Sequence, residues 1–328
     1  MQDHKRIFLI IILALCLALP AFAQQAGTTA ALWSDRGDPA VLNILNGPGG
    51  KEHQPGTSFT FIEETNGGTS PKFLVEDENG ARWKVKLGHE AKSETAATRL
   101  LWAAGYNADE DYYRPQIQVQ GMKPLSRGQE YVSKGGIVRE ARLERQDGEK
   151  KLSNWSWYKN PFVGTREFNG LRVMVALINN WDLKENNNDV YNASGAEGRY
   201  VISDLGASLG RTGNSFTRSR GVMKDYASTK FIKKVTPKDV DLVMHSRPFF
   251  LAIFNFPYYH SRTRMESVAK HIPIADARWI GNQLGQFSPE QIRDCFRAAD
   301  FSPEEVEGYA RIVMQRIEAL KKLQPRSQ

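Results

Sequence analysis

Cysteine is almost absent, with two in 328 residues. Cys16 stands in an apolar N-terminal run, and Cys295 is alone once that run is removed. No intramolecular disulfide can then hold the fold. Ile292-Arg293-Asp294-Cys295-Phe296 reads as the buried side of a helix, with the thiol as a small core group. Histidine is equally sparse, six in all. His245, His260 and His271 are scattered, without the H-x-x-x-H or H-E-x-x-H spacing of a zinc site. No Ser stands in a G-x-S-x-G elbow, so serine-hydrolase chemistry is not indicated. No repeat period stands out. Beyond the N-terminus no segment is apolar enough to cross a membrane. The longest stretch, near 249–259, is interrupted by Asn255 and Pro257.

The apolar run at the N-terminus has a clear anatomy. His4-Lys5-Arg6 is basic, Ile7 to Leu19 is apolar but short for a bilayer, and Ala21-Phe22-Ala23 precedes Gln24. This pattern predicts a secretory signal peptide over 1–23 and an exported protein, periplasmic or extracellular. After cleavage the chain is not transmembrane. An uncleaved anchor is the competing reading, and the short apolar run weighs against it.

The formal charge is +7, and loss of Asp3, Lys5 and Arg6 leaves +6. Basic residues gather in Arg211 to Arg220 and Lys224 to Lys238. That balance favours anionic partners such as nucleotides, lipid headgroups or acidic polymers. No nucleic-acid motif accompanies it, so nucleic acid is not expected.

Residues 24–57 read as a low-order leader, with Gly47-Pro48-Gly49-Gly50 near its end. Residues 58–150 read as a β-rich lobe. Phe59, Phe61, Phe73 and Val75 alternate around an Asn-Gly-Gly turn, and Asn79-Gly80 leads to a third strand ending at Leu87. A helix is expected over Ser93–Ala104, then strands over Gln116–Val119 and Glu130–Val138. Residues 151–325 read as a mainly helical lobe. Thr165 to Asn180 carries an apolar stripe that leads directly to Asp182. Later helices are expected over Lys238–Met244, Ala275–Gln286, Pro289–Ala299 and Pro303–Leu323. Ser288-Pro289 and Ser302-Pro303 are start signals for the last two. The fold class is α+β, a small antiparallel β lobe with one helix followed by a helical lobe.

Two short stretches carry the chemistry. Asp182-Leu183-Lys184-Glu185-Asn186-Asn187 follows the apolar helix. Asp204-Leu205-Gly206 follows the β-branched run Tyr200-Val201-Ile202. Phosphoryl transfer needs an orienting carboxylate, a cation near the moving group and oxygen ligands for Mg²⁺. Asp182, Lys184, Asn187 and Asp204 supply these in that order. Asn186 and Asn188 are alternatives to Asn187, and Asp189 and Asp225 to Asp204. Upstream, Trp83-Lys84-Val85-Lys86 alternates on a strand, with both lysines on one face.

These motifs resemble the protein-kinase signature, in which D-L-K-x-x-N precedes D-F-G and a strand ends in V-A-I-K. Asn180-Trp181 stand where His-Arg would precede the first Asp. The G-x-G-x-x-G loop and an Ala-Pro-Glu are absent. The likeness is therefore to the atypical branches, HipA-type, lipid-kinase-type and secreted kinases. It implies a two-lobed kinase-like fold and an ATP- and Mg²⁺-dependent phosphotransferase, with Mn²⁺ as the alternative ion, acting on an unknown hydroxyl acceptor. It implies that Lys86 holds nucleotide phosphates, braced by Glu94, with Glu90 as the rival brace. Gly67 and Gly68 take the place of the phosphate-covering loop. A pseudokinase-type binding protein, and a basic envelope protein on an anionic polymer or lipid surface, are the alternatives.

Overall fold

The computed structural model describes residues 31–65, 67–68, 70–146, 148–193, 196–213, 217–244 and 250–325. The signal segment expected over 1–23, with Cys16, lies outside them.

Three strands open the β lobe: β1 (Ser58–Thr65), β2 (Lys72–Asp77) and β3 (Arg82–Leu87). They form the expected antiparallel meander. Gly80, at φ +79°, makes the tight second turn, where a side chain would be strained. A helix follows, α1 (Glu90–Ala103), then β4 (Asp111–Gln120), the two-residue β5 (Val132–Ser133) and β6 (Ile137–Arg145). β6 pairs antiparallel with both β3 and β4, and β4 runs parallel to β1. The sheet thus closes on itself. Phe59, Phe73, Val75, Trp83, Val85, Ile117 and Leu143 fill its interior. Closure leaves the meander without an open edge.

β4 and β6 extend beyond the strands expected at 116–119 and 130–138. Charged residues interrupt the apolar pattern there, but they satisfy one another across the strands. Arg142 pairs with Asp111 and Glu144, and all three are buried.

The second lobe begins with β7 (Lys151–Asn154) and α2 (Arg166–Leu177). Thr165 caps α2, its hydroxyl accepting from the Phe168 N–H at 3.2 Å. β8 (Asn188–Ala193) and β9 (Ala196–Ile202) form a hairpin flanked by β7. Next come α3 (Met223–Ala227), β10 (Ile232–Val235) and β11 (Asp239–Leu242), then α4 (Leu251–Phe254), α5 (Phe256–Ser267), β12 (Ile272–Pro273), α6 (Ile274–Leu284), α7 (Pro289–Arg297) and α8 (Pro303–Lys321). The helix expected over 238–244 is instead strand β11, paired with β10 and β12. Its period is two: Val240 and Leu242 are buried while Asp239 and Asp241 are partly exposed. Capping boxes at Ser288/Gln291 and Ser302/Glu305 start α7 and α8 where expected.

The low-order leader needs correction over its described part. Leu32 and Ile44 are buried in the helical lobe's core. Trp33 packs edge-on against Trp279 at 5.5 Å and donates from Nε1 to the Ala104 carbonyl. Gln291 Nε2 donates to the Pro39 carbonyl at 2.6 Å. Residues 31–57 clasp α1 to the helical lobe.

Helix α1 joins the lobes. Ala96, Ala97, Leu100 and Leu101 belong to the helical lobe's core, whereas Glu90 and Glu94 meet the outer face of β3. No helix among the described residues is long and apolar enough to span a membrane.

Candidate active site

Strand alternation turns Trp83 and Val85 into the β lobe and leaves Lys84 and Lys86 on its other face, where Lys84 lines a cavity and Lys86 is buried against carboxylates. Register then builds rows of charge. Lys72 on β2 and Arg142 on β6 flank Lys86, and Leu74 and Glu144 flank Lys84.

Lys86 is 1% exposed. Its Nζ lies 2.9 Å from Glu94, the expected brace, 2.7 Å from Glu90 and 2.6 Å from Asp204. Glu90 and Glu94 thus act together rather than as rivals. The helix starts at Glu90, three residues earlier than its apolar pattern predicts, which stacks the two glutamates one turn apart on one face. Burial opposes the charge on Lys86, but Glu94 and Asp204 outweigh it and raise its pKa. Burial likewise opposes ionised Asp204, and Lys86 reverses that and lowers its pKa.

Asp204 sits at φ +53°, a left-handed position that is uncommon for Asp. Strain of this kind persists where surrounding contacts impose it. Here they are explicit. Ser203 N–H donates to the Asn187 carbonyl at 2.9 Å, and Asn188 pairs with Ile202. Trp181 N–H donates to the Ala207 carbonyl, and Leu209 N–H to that of Ile178. The Asp182 loop and the Asp204 loop are thereby laced together. From below, Arg316 on α8 donates to the Leu177 carbonyl at 2.7 Å and to Asn179 Oδ1 at 2.9 Å.

Asn187 and Asp204 line one cavity of about 240 Å³ together with Gly68, Lys72 and Glu94. Asn187 Nδ2 donates to the Asp182 carbonyl at 3.0 Å. That bond assigns the amide nitrogen and leaves its carbonyl oxygen as the group available to a cation. Asn186 also lines the cavity, while Asn188 is buried and donates to the Trp155 carbonyl. Asp189 lines it too, held by Lys151 and Asn154. Asp225 is tied to Arg211 and Ser219 and is absent from the lining. Gly68, at φ +73°, reaches the cavity. Gly67 does not line it, and a Cβ placed there would meet open space.

Asp182 is partly exposed. Its N–H donates to Asn180 Oδ1 at 2.9 Å, and Oδ2 lies 2.9 Å from Lys184 Nζ. Neither residue is part of the cavity's lining.

Asn187 and Asp204 offer, in one cavity, the hard oxygen ligands that a divalent cation takes. Carboxylate oxygens of Glu90, Glu94 and Asp204 also lie within 4.8 Å of one another. The Lys86 ammonium contacts all three, so that cluster already holds a cation of its own.

Several residues of the site escape the sequence patterns. Lys84 pairs with Glu144, Arg142 with Asp111, and Asp109 accepts from the Ser203 hydroxyl at 3.0 Å. Burial raises the pKa of Asp109, and Glu144 and Asp111 raise it further. Burial works the same way on Glu144, but Arg142 and Lys84 overcome it and lower its pKa. A second cavity of about 620 Å³ adjoins the first and shares Asp109, Glu144 and Tyr191 with it. Ile62, Leu74, Trp102 and Ala108 give it the apolar wall that the smaller one lacks.

No family model matches the chain, and no curated protein matches it. Among solved structures it is similar to the Helicobacter pylori proinflammatory kinase CtkA, at 15% identity over 81% of this chain and 99% of that one, with TM-score 0.37. It is similar to the Golgi casein kinase with Mn/ADP bound, at 11% identity over 90% and 78%, with TM-score 0.42. It is also similar to the Rio2 kinase of Chaetomium thermophilum, at 10% identity over 79% and 72%, with TM-score 0.32. At such low scores only the site's own residues bear on function.

Proposed function

We propose that this protein is an exported kinase-like phosphotransferase that moves a phosphoryl group from ATP, with Mg²⁺ or Mn²⁺, to a hydroxyl acceptor. The observation that carries this reading is the buried Lys86, held by Glu90, Glu94 and Asp204, of which Glu94 and Asp204 line a cavity together with Asn187.

Each residue has a task. Lys86, extended by its carboxylates, meets phosphate oxygens of the donor. Lys72 and the backbone at Gly68 face the same space. Asn187 and Asp204 hold the divalent ion, whose charge offsets that on the donor phosphates. Asp182 orients the acceptor hydroxyl and takes its proton. Lys184 neutralises charge on the transferred group. The donor's base goes to the larger cavity, against Ile62, Leu74 and Tyr191.

ADP release from ATP tests this reading, with Mg²⁺ or Mn²⁺ present and wild type beside Asp182→Asn and Asp204→Asn. Turnover in wild type that both variants lose supports transfer. Nucleotide binding without turnover would leave the pseudokinase reading. The Lys84–Glu144–Arg142–Asp111 network favours that second reading, because it fills part of the cleft wall with charge already matched.

A further inference from the structure

A second buried cation lies on the other side of α1. Arg99 is 1% exposed, and among the described residues no carboxylate forms a close ion pair with it; Asp111 and Glu110 act on it only from farther away, and burial outweighs them. Its Nε and one terminal nitrogen are buried without a hydrogen-bond partner. The ring of Tyr112 lies against it, 4.9 Å from the guanidinium carbon. The leader folds down on it: a Cβ at Gly47 would come within 2.3 Å of that carbon.

A buried charge without a partner is costly, and a protein ordinarily supplies the counter-charge or loses the charge. Here the counter-charge has a place to enter. Arg99 lines a cavity of about 300 Å³ between the leader, the start of β4 and the end of α7. Arg114 lines it as well, and donates to the neighbouring Tyr113 carbonyl rather than to any carboxylate among the described residues. Arg297, at the rim, is already answered by Glu290 and Asp294. Asp300, also at the rim, is exposed.

We propose that this cavity is a phosphate-binding site, in which Arg99 and Arg114 together hold a phosphate or the phosphate group of a small monoester. Two unanswered guanidinium groups match a dianion in charge, and their planar donor arrays match its oxygens. The site is separate from the Lys86 cleft, which it shares no lining residue with. It sits on the same helix, five residues beyond Glu94.

Inorganic phosphate is the probe, with chloride and acetate at matched ionic strength as controls. The thermal midpoint of the purified protein is followed as each is titrated. Saturable stabilisation by phosphate alone is expected, unchanged in Asp204→Ala and weakened roughly tenfold or more in apparent affinity by Arg114→Gln. Arg99→Met removes the response while leaving the midpoint in phosphate-free buffer at or above that of wild type. A glycerol phosphate arm separates a monoester site from one for free phosphate. Equal stabilisation by chloride, or an undiminished phosphate response in Arg114→Gln, would overturn the site. If Arg99→Met fails to fold, Arg114→Gln alone decides. Both results are independent of ATP turnover.

Discussion

Lys86 and Arg99 are each 1% exposed; Lys86 pairs with carboxylates of α1, and Arg99 belongs to that helix. Lys86 has three carboxylates within 3 Å. Arg99 has an aromatic ring and, among the described residues, no carboxylate in a close ion pair, with Asp111 and Glu110 acting only from farther away. Burial works against both charges. At Lys86 the carboxylates overcome it and raise the pKa; at Arg99 burial prevails and lowers it. The pair teaches that burial alone does not define a cation's role. A cation already matched can be held in one position to meet a donor's phosphates. A cation left unmatched marks a place where charge must arrive.

The comparison breaks most sharply at the level of rate. Asp204→Asn removes the group that touches both Lys86 and the proposed cation site. Phosphoryl transfer should fall by on the order of 10³ in kcat, measured as ADP release. Arg99→Met should leave that rate within a few-fold at saturating ATP.

Stability separates the two cations next. Lys86→Met takes from Glu94, itself 1% exposed, its nearer cation and leaves it only Arg142 at 3.4 Å, and it takes the buried partner of Asp204. It should cost about 3–5 kcal/mol in urea unfolding at neutral pH. Arg99→Met should cost nothing. Equal losses in both variants would erase the distinction.

Acid unfolding sharpens it further. Lys86 lowers the folded pKa of Asp204, so Asp204 contributes stability above the unfolded carboxylate value of about 3.9. That contribution disappears as pH falls through the lower folded value. The extra acid limb should be missing in Asp204→Asn. Lys86, raised by its carboxylates, adds stability that holds below about pH 10.4 and is lost as pH rises through its higher folded value.

The smallest expected effect is at Lys184, which is 55% exposed beside Asp182. Lys184→Ala should change stability by less than about 1 kcal/mol. Turnover should nonetheless drop by roughly 10²-fold, because the charge acts on the transferred group.

Much of this is legible in the sequence, for local reasons. Period-two alternation places Lys84 and Lys86 outside the β lobe, and Ser-Pro pairs place the starts of α7 and α8. The short motifs name Gly68, Lys84, Asn187 and Asp204, which line the cavity, and Lys86, which pairs with Asp204. What stays hidden depends on register and closure. Nothing local says that β3 pairs with β6, so Arg142 and Glu144 read as breaks in a strand rather than as neighbours of Lys86 and Lys84. Glu90 is undervalued because its helix starts in polar sequence. The leader reads as loose because Leu32 and Ile44 are single apolar residues in a Gly-rich stretch, and their burial depends on contacts distant in sequence. Asp239 to Leu242 reads as helix because four residues hold too little periodicity to separate strand from helix.

The central claim is that Lys86 and Asp204 form a nucleotide site. Its most direct test is the thermal midpoint with and without ATP and Mg²⁺, in wild type and in Asp204→Ala. A ligand that binds only the folded chain raises the midpoint as its concentration passes its dissociation constant. The account predicts a saturable rise in wild type that is absent in Asp204→Ala. No rise with any nucleotide, or an equal rise in both proteins, would contradict it.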